Sequence, residues 1–157
     1  MKHIPSGLPP ENQWPRHMLI ARAEIGVREA PGKADNPRVL EYLRATRLPE
    51  KAIRDSTSWC AAFVCWTLEQ ADLSNPSYAM ARRFMSYGLP LTEPVFGCIA
   101  VFSRPPDENS GHVAFFTDAI GHDIQALGGN QRGDSVCFAS YPKERLLGYR
   151  WPVKQDR

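Results

Sequence analysis

Trp59-Cys60-Ala61-Ala62-Phe63-Val64-Cys65-Trp66-Thr67-Leu68-Glu69-Gln70-Ala71 contains neither glycine nor proline and is apolar nearly all round as far as Thr67. A segment of that kind predicts a helix buried on every side. Asp55-Ser56-Thr57-Ser58, a cluster of cap-type residues, stands just before it, and Asp72 with Asn75-Pro76 ends it. On the N-terminal side, Pro15 suits an early helical position, and apolar residues at Met18, Leu19, Ala21, Ala23 and Ile25 predict a helix that Gly26 weakens and Pro31-Gly32 stops. A second helix is expected over Pro37–Thr46, with Val39, Leu40, Tyr42 and Leu43 on its apolar face. Residues 1–13, with Pro5, Pro9 and Pro10, read as an irregular leader ahead of a single domain over 14–157.

The texture changes towards the C-terminus. A short helix is expected across Tyr78–Tyr87, closed by Gly88. Gly97–Phe102 reads as an apolar strand, Pro105–Gly111 as a loop, and His112–Thr117 as a second strand. Gly121 marks a turn, Ile124–Leu127 a third strand, and Gly128-Gly129 a sharp break. Cys137–Tyr141 and Leu146–Trp151 add further strands. Helices followed by hairpin-connected strands predict an α+β fold, with N-terminal helices packed on an antiparallel sheet.

The composition excludes some classes of function. A net charge of +2 with scattered basic residues makes no case for nucleic acid and gives only a weak attraction to an anionic surface such as a cell wall. No apolar run approaches the ~20 residues of a membrane span. Met1–Gly7 lacks an apolar core, so no secretory signal is expected there. None of the four cysteines forms a C-x-x-C pair, so no metal is expected; Cys65, Cys98 and Cys137 read as small buried hydrophobes.

Cys60 is the candidate nucleophile. A thiol reacts as its thiolate, and the start of a helix lowers its pKa through unpaired N–H groups and the helix dipole. Cys65, about 140° further round the helix at ~100° per residue, points elsewhere. The candidate base is His112, which opens an apolar strand directly after Gly111. If the hairpin turns at Gly121-His122, His112 lies opposite residue 131, and a one-residue shift of the turn makes the partner 130 or 129. An amide oxygen on Asn130 would orient the ring, with Gln131 as its rival, since strand alternation lets only one share the face of His112. Asp118 is the nearest acid after His112, but an intervening strand of six residues puts it ~20 Å away.

These residues resemble the CHAP and NlpC/P60 group of bacterial and phage cysteine peptidases. The blocks that carry the likeness include Glu24–Gly32, Asn36–Tyr42, Trp59–Val64, Ala81-Arg82, Gly97–Arg104, Gly111-His112-Val113, Leu127–Gln131 and Leu146–Arg150. The resemblance implies a papain-like fold, no cofactor or metal, and hydrolysis of an amide bond in peptidoglycan. It carries the nucleophile onto Cys60, the base onto His112 and the third, polar position onto Asn130. Many relatives place an acid at that third position; here the neighbourhood offers only Gly, Asn and Gln. Asp55, Trp59, Arg82 and Gln131 are candidates for substrate contact, with Arg82 and Arg104 able to meet stem-peptide carboxylates. Glu29 reads as structural.

Two settings suit a wall hydrolase made in the cytoplasm without a signal peptide: an antibacterial effector exported by a dedicated machine, or an enzyme released by phage lysis. An effector implies a cognate immunity protein as partner, beside peptidoglycan itself; the chain is expected to be a monomer. The competing readings are a non-catalytic wall-binding module and a papain-like transferase or deamidase acting on a protein.

Overall fold

A computed structural model describes residues 4–156. The expected buried helix is α3, Cys60–Gln70, in which every residue from Cys60 to Leu68 is buried. Trp59 is its N-cap and makes no side-chain cap bond, so the polar cluster ahead of the helix does not cap it. Two shorter helices precede it. Helix α1 spans Arg16–Ala23 and α2 spans Pro37–Arg44. Asn36 caps α2 by accepting from Arg38 N, with Pro37 at the first helical position. Tyr42 of α2 locks onto α3: its ring lies 5.7 Å from Trp59, 5.2 Å from Phe63 and 5.0 Å from Trp66. The segment expected to be a short helix is a 3-10 helix over Ala81–Ser86. Among the described residues, no helix is long and apolar enough to cross a membrane.

Six antiparallel strands form one sheet in the order β1-β6-β2-β3-β4-β5. They are β1 Leu89–Leu91, β2 Ile99–Arg104, β3 Asp107–Ile120, β4 Asp123–Gln131, β5 Ser135–Pro142 and β6 Leu146–Trp151. Helices ahead of an antiparallel sheet make the fold α+β, as the order of patterns predicts. Ile99 and Val101 of β2, Val113 and Phe115 of β3, Leu127 of β4 and Val136 of β5 join the helices in the main core. The alternate residues Cys98, Ala100, Phe102, Phe116 and Ile124 form a second, smaller cluster with Tyr141 and Tyr149.

Three expectations need correction. Strand β3 starts at Asp107, inside the segment read as a loop, because Asp107 pairs back with Arg104 after a register shift. Strand β1 was not expected; Leu89–Leu91 pairs with Tyr149–Trp151 on the sheet edge. The Gly128-Gly129 pair does not break the chain, since β4 runs through it. Both glycines serve close packing. A Cβ on Gly129 would stand 2.6 Å from Trp59 Cζ3 and 2.7 Å from Phe63 Cβ, so only a glycine lets β4 pass under the head of α3. A Cβ on Gly128 would lie 2.7 Å from Ala114 Cβ and 2.9 Å from Gln131 Oε1.

Candidate active site

The hairpin turns where expected, with Ile120 paired to Asp123. Two irregularities then decide which amide reaches His112. The β3–β4 register shifts by one between Phe116 and Asp118, so that Phe115 faces Leu127. Continued regularly, that register would set His112 opposite Asn130. The β4–β5 register shifts as well: Gly128 pairs with Cys137 and Gln131 with Ser135, which leaves Gly129 and Asn130 opposite Val136 alone. This is a bulge of one extra residue. Asn130 absorbs it in the left-handed region at φ 55°, which asparagine tolerates better than most residues. The bulge reverses the alternation, so Gln131 takes the orientation that Asn130 would have had.

Gln131 Oε1 therefore lies 2.9 Å from His112 Nε2. The amide can sit only one way round. Its nitrogen donates to Cys137 O at 2.6 Å and to Ala126 O at 3.3 Å, so its oxygen must face the ring. An oxygen that can only accept calls for a proton on Nε2. That leaves Nδ1 of a neutral His112 as the basic nitrogen.

Asn130 is placed otherwise. Its Oδ1 accepts from Trp59 N at 3.0 Å, and its Nδ2 donates to Glu29 Oε1 and Asp134 Oδ1, each at 3.3 Å. It ties β4 to the head of α3 and makes no hydrogen bond to the imidazole.

The Cys60 thiol is 4% exposed, and the groups that act on it are the His112 side chain, the Val113 backbone and Arg104. Burial pushes its pKa up. The charge and hydrogen bond of His112, the Val113 N–H and the positive charge of Arg104 outweigh this and hold it at about 7, against an ordinary 9.0. Cys65 and Cys98 have no such partner, and burial pushes them up to about 12 and about 11. Both are fully buried, as expected of structural thiols, whereas Cys137 is half-buried.

Tyr141 belongs to the site although the sequence reading did not single it out. Its hydroxyl lies 3.0 Å from His112 Nε2 and 2.9 Å from Gln131 Oε1, and its ring centroid is 4.8 Å from that of His112. Phe102 flanks the pair, 4.8 Å from the tyrosine ring. Burial, and then the nearby Cys60 charge, raise the Tyr141 pKa, so the group stays a neutral phenol. Its one sequence signal was parity along β5: Tyr141 pairs with Ile124 on the face that carries Phe102.

The thiol opens into a cleft of ≈ 200 Å³. Ser58 and Cys60 form one wall, Ala79–Ala81 a second, and Arg104 with Asn109–Gly111 the third. Three residues expected to touch substrate do not line it. Asp55 is buried, and its Oδ2 accepts from Ala30 N at 2.7 Å and Asn36 N at 2.9 Å, pinning the loop before α2. Trp59 is wholly buried, and its indole donates to Glu29 Oε1 at 3.0 Å. Arg82 Nε donates to Ser110 O at 2.6 Å and so holds the cleft wall from behind. Gln131, the fourth, faces His112. Glu29 receives Trp59 Nε1 and Asn130 Nδ2; burial raises its pKa although those bonds oppose the rise.

A buried cysteine at the head of a helix, its pKa lowered by an imidazole that a fixed amide orients, is equipped for nucleophilic attack on a carbonyl carbon. No protein-family model and no curated protein matches the chain. Among solved structures it is similar to a lipoprotein-like protein of the NLP/P60 family from Staphylococcus aureus, at 15% identity and a TM-score of 0.53. The match covers 98% of this chain but 46% of the staphylococcal one, so this chain spans about half of that protein's length and shares its fold.

Proposed function

We propose that the protein is a cysteine-dependent hydrolase that cuts an amide bond of bacterial peptidoglycan. The observation that carries the reading is the Cys60 thiol at the head of α3, on the wall of an open cleft, with the amide-oriented His112 imidazole and Arg104 acting to lower its pKa. A structural thiol gains nothing from such a partner. The likeness in fold to an NLP/P60 family protein supports the choice of peptidoglycan as substrate.

In this reading the Cys60 thiolate attacks the carbonyl carbon. The negative oxygen that forms is met by N–H groups of the first turn of α3, Cys60 N–H among them, which have no partner in a preceding turn. His112 then gives its Nδ1 proton to the leaving amine. In the second half-reaction Nδ1 takes a proton from water, which attacks the thioester and frees Cys60. Gln131 keeps Nε2 protonated throughout and stabilises the imidazolium as a hydrogen-bond acceptor. Tyr141 holds the ring plane and the Gln131 oxygen together.

Incubation of the protein with purified sacculi, followed by mass spectrometry of the soluble fragments, tests the proposal. New fragments are expected from the unaltered protein and none from Cys60→Ala or His112→Ala. Undiminished release by either variant ends the mechanism. Fragment masses separate a muramyl–L-alanine amidase from a stem-peptide endopeptidase.

A further inference from the structure

A second cavity, of ≈ 320 Å³, adjoins the catalytic cleft. Ala79 and Met80 line both, so the two depressions lie on either side of one short stretch of chain. The second is walled by Leu48, Pro76 and Met80 and carries two cations, Arg47 and Arg83. Neither arginine forms an ion pair among the described residues, whereas Arg16, Arg22, Arg38, Arg44 and Arg54 each meet a carboxylate. Arg83 is held in place by the face of Tyr78, 5.2 Å from its guanidinium carbon to the ring centroid. Among the described residues, no aspartate or glutamate lines either cavity, and the catalytic cleft adds a third guanidinium without an ion pair, Arg104. Apolar walls with two free guanidiniums suit an aliphatic residue ending in a carboxylate.

We infer that the Arg47–Arg83 cavity is a subsite for a peptide carboxylate, seated across Met80 from the amide presented to Cys60. The assignment rests on the proposed hydrolase for the position of the scissile bond, but not for the binding itself. Met80, 53% exposed between the two depressions, is the apolar saddle over which the peptide runs. The subsite makes the protein selective for peptides that carry a free carboxylate close to the cleaved bond.

Binding to the Cys60→Ala protein tests this without calling on catalysis. Muropeptides are released from sacculi by a muramidase; half are left with free carboxyl groups and half are converted to carboxamides. Calorimetry on Cys60→Ala is expected to show the carboxamide form bound roughly ten- to a hundredfold more weakly, the range of one or two charge-assisted hydrogen bonds. Adding Arg47→Gln and Arg83→Gln should weaken the free-carboxylate form by a similar factor and leave the carboxamide form unchanged. Adding Arg47→Lys and Arg83→Lys instead should restore part of the loss. Equal binding of the two muropeptide forms, unaltered binding by the double glutamine variant, or no saturable binding of either form would overturn the subsite. Digestion of sacculi by the unaltered protein reports separately on the hydrolase.

Discussion

Replacing Gln131 with leucine removes the acceptor from His112 while nearly keeping the side-chain volume. When the thiolate and imidazolium coexist, the Nε2 proton is given to Gln131 Oε1 at 2.9 Å in a charge-assisted hydrogen bond. Such bonds contribute about 1.5–3 kcal/mol, or roughly one to two pKa units at 1.36 kcal/mol each. Losing it should raise the Cys60 pKa from about 7 towards, at most, its ordinary 9.0. The sign follows from the thiolate: a higher pKa means less of it at pH 7. The reactive fraction then falls from about one half to between about one tenth and one hundredth, a loss of roughly five- to fiftyfold. The rate of Cys60 alkylation by iodoacetamide, followed from pH 5 to 10 with the label located by mass spectrometry, reads this directly. In the unaltered protein the rate should climb through a midpoint near 7 while Cys65 and Cys98 stay unlabelled, since their thiols are held at about 12 and about 11. Gln131→Leu should move the midpoint upward. Asn130→Gly, which keeps the left-handed backbone available, should not. An unmoved midpoint in a folded Gln131→Leu protein, or an equal shift in Asn130→Gly, would refute the assignment of Gln131 as the orienting residue.

Other outcomes follow from the same contacts. Tyr141→Phe keeps the ring against His112 but removes the hydroxyl at 3.0 Å; sacculus digestion should slow a fewfold through kcat, with the pH midpoint of alkylation changed and the melting temperature nearly unchanged. Gly129→Ala drives a methyl into Trp59 and Phe63, an overpacking of about 1–3 kcal/mol that a thermal melt should register. Asp55→Asn exchanges a carboxylate that accepts two backbone N–H bonds for an amide; the protein should lose about 1–2 kcal/mol in a denaturant titration while the Cys60 midpoint stays near 7.

The parts of the fold that follow local rules were legible in the sequence. An apolar run without glycine or proline could only be a buried helix, and α3 occupies Cys60–Gln70. The turn at Gly121-His122 set the pairing of Ile120 with Asp123. What escaped depends on residues distant in the chain. Gly128-Gly129 carries the composition of a turn, yet Gly129 is demanded by Trp59 and Phe63, some seventy positions away, and Gly128 by Ala114 on the neighbouring strand. Gln131 displaced Asn130 because of a bulge that no period-two argument contains. Asp55 and Trp59, candidates for substrate contact in the sequence, are each buried and bonded within the protein, which their position just ahead of Cys60 does not reveal. Tyr141 carries no motif, and only the β4–β5 register brings it to the imidazole.

The bulge at Asn130 makes the number of residues in this short stretch as much a part of the chemistry as their identity. Were the same residues threaded into an unbroken ladder, Asn130 would meet the imidazole and Gln131 would turn to the opposite side, although every side chain of the site was still encoded, whereas a chain one residue shorter between Gly128 and Gln131 would present its glutamine to the imidazole with no bulge at all. Count and letter are therefore read together here: a homologue of equal length that lacks the bulge must steady its histidine with the residue before the glutamine.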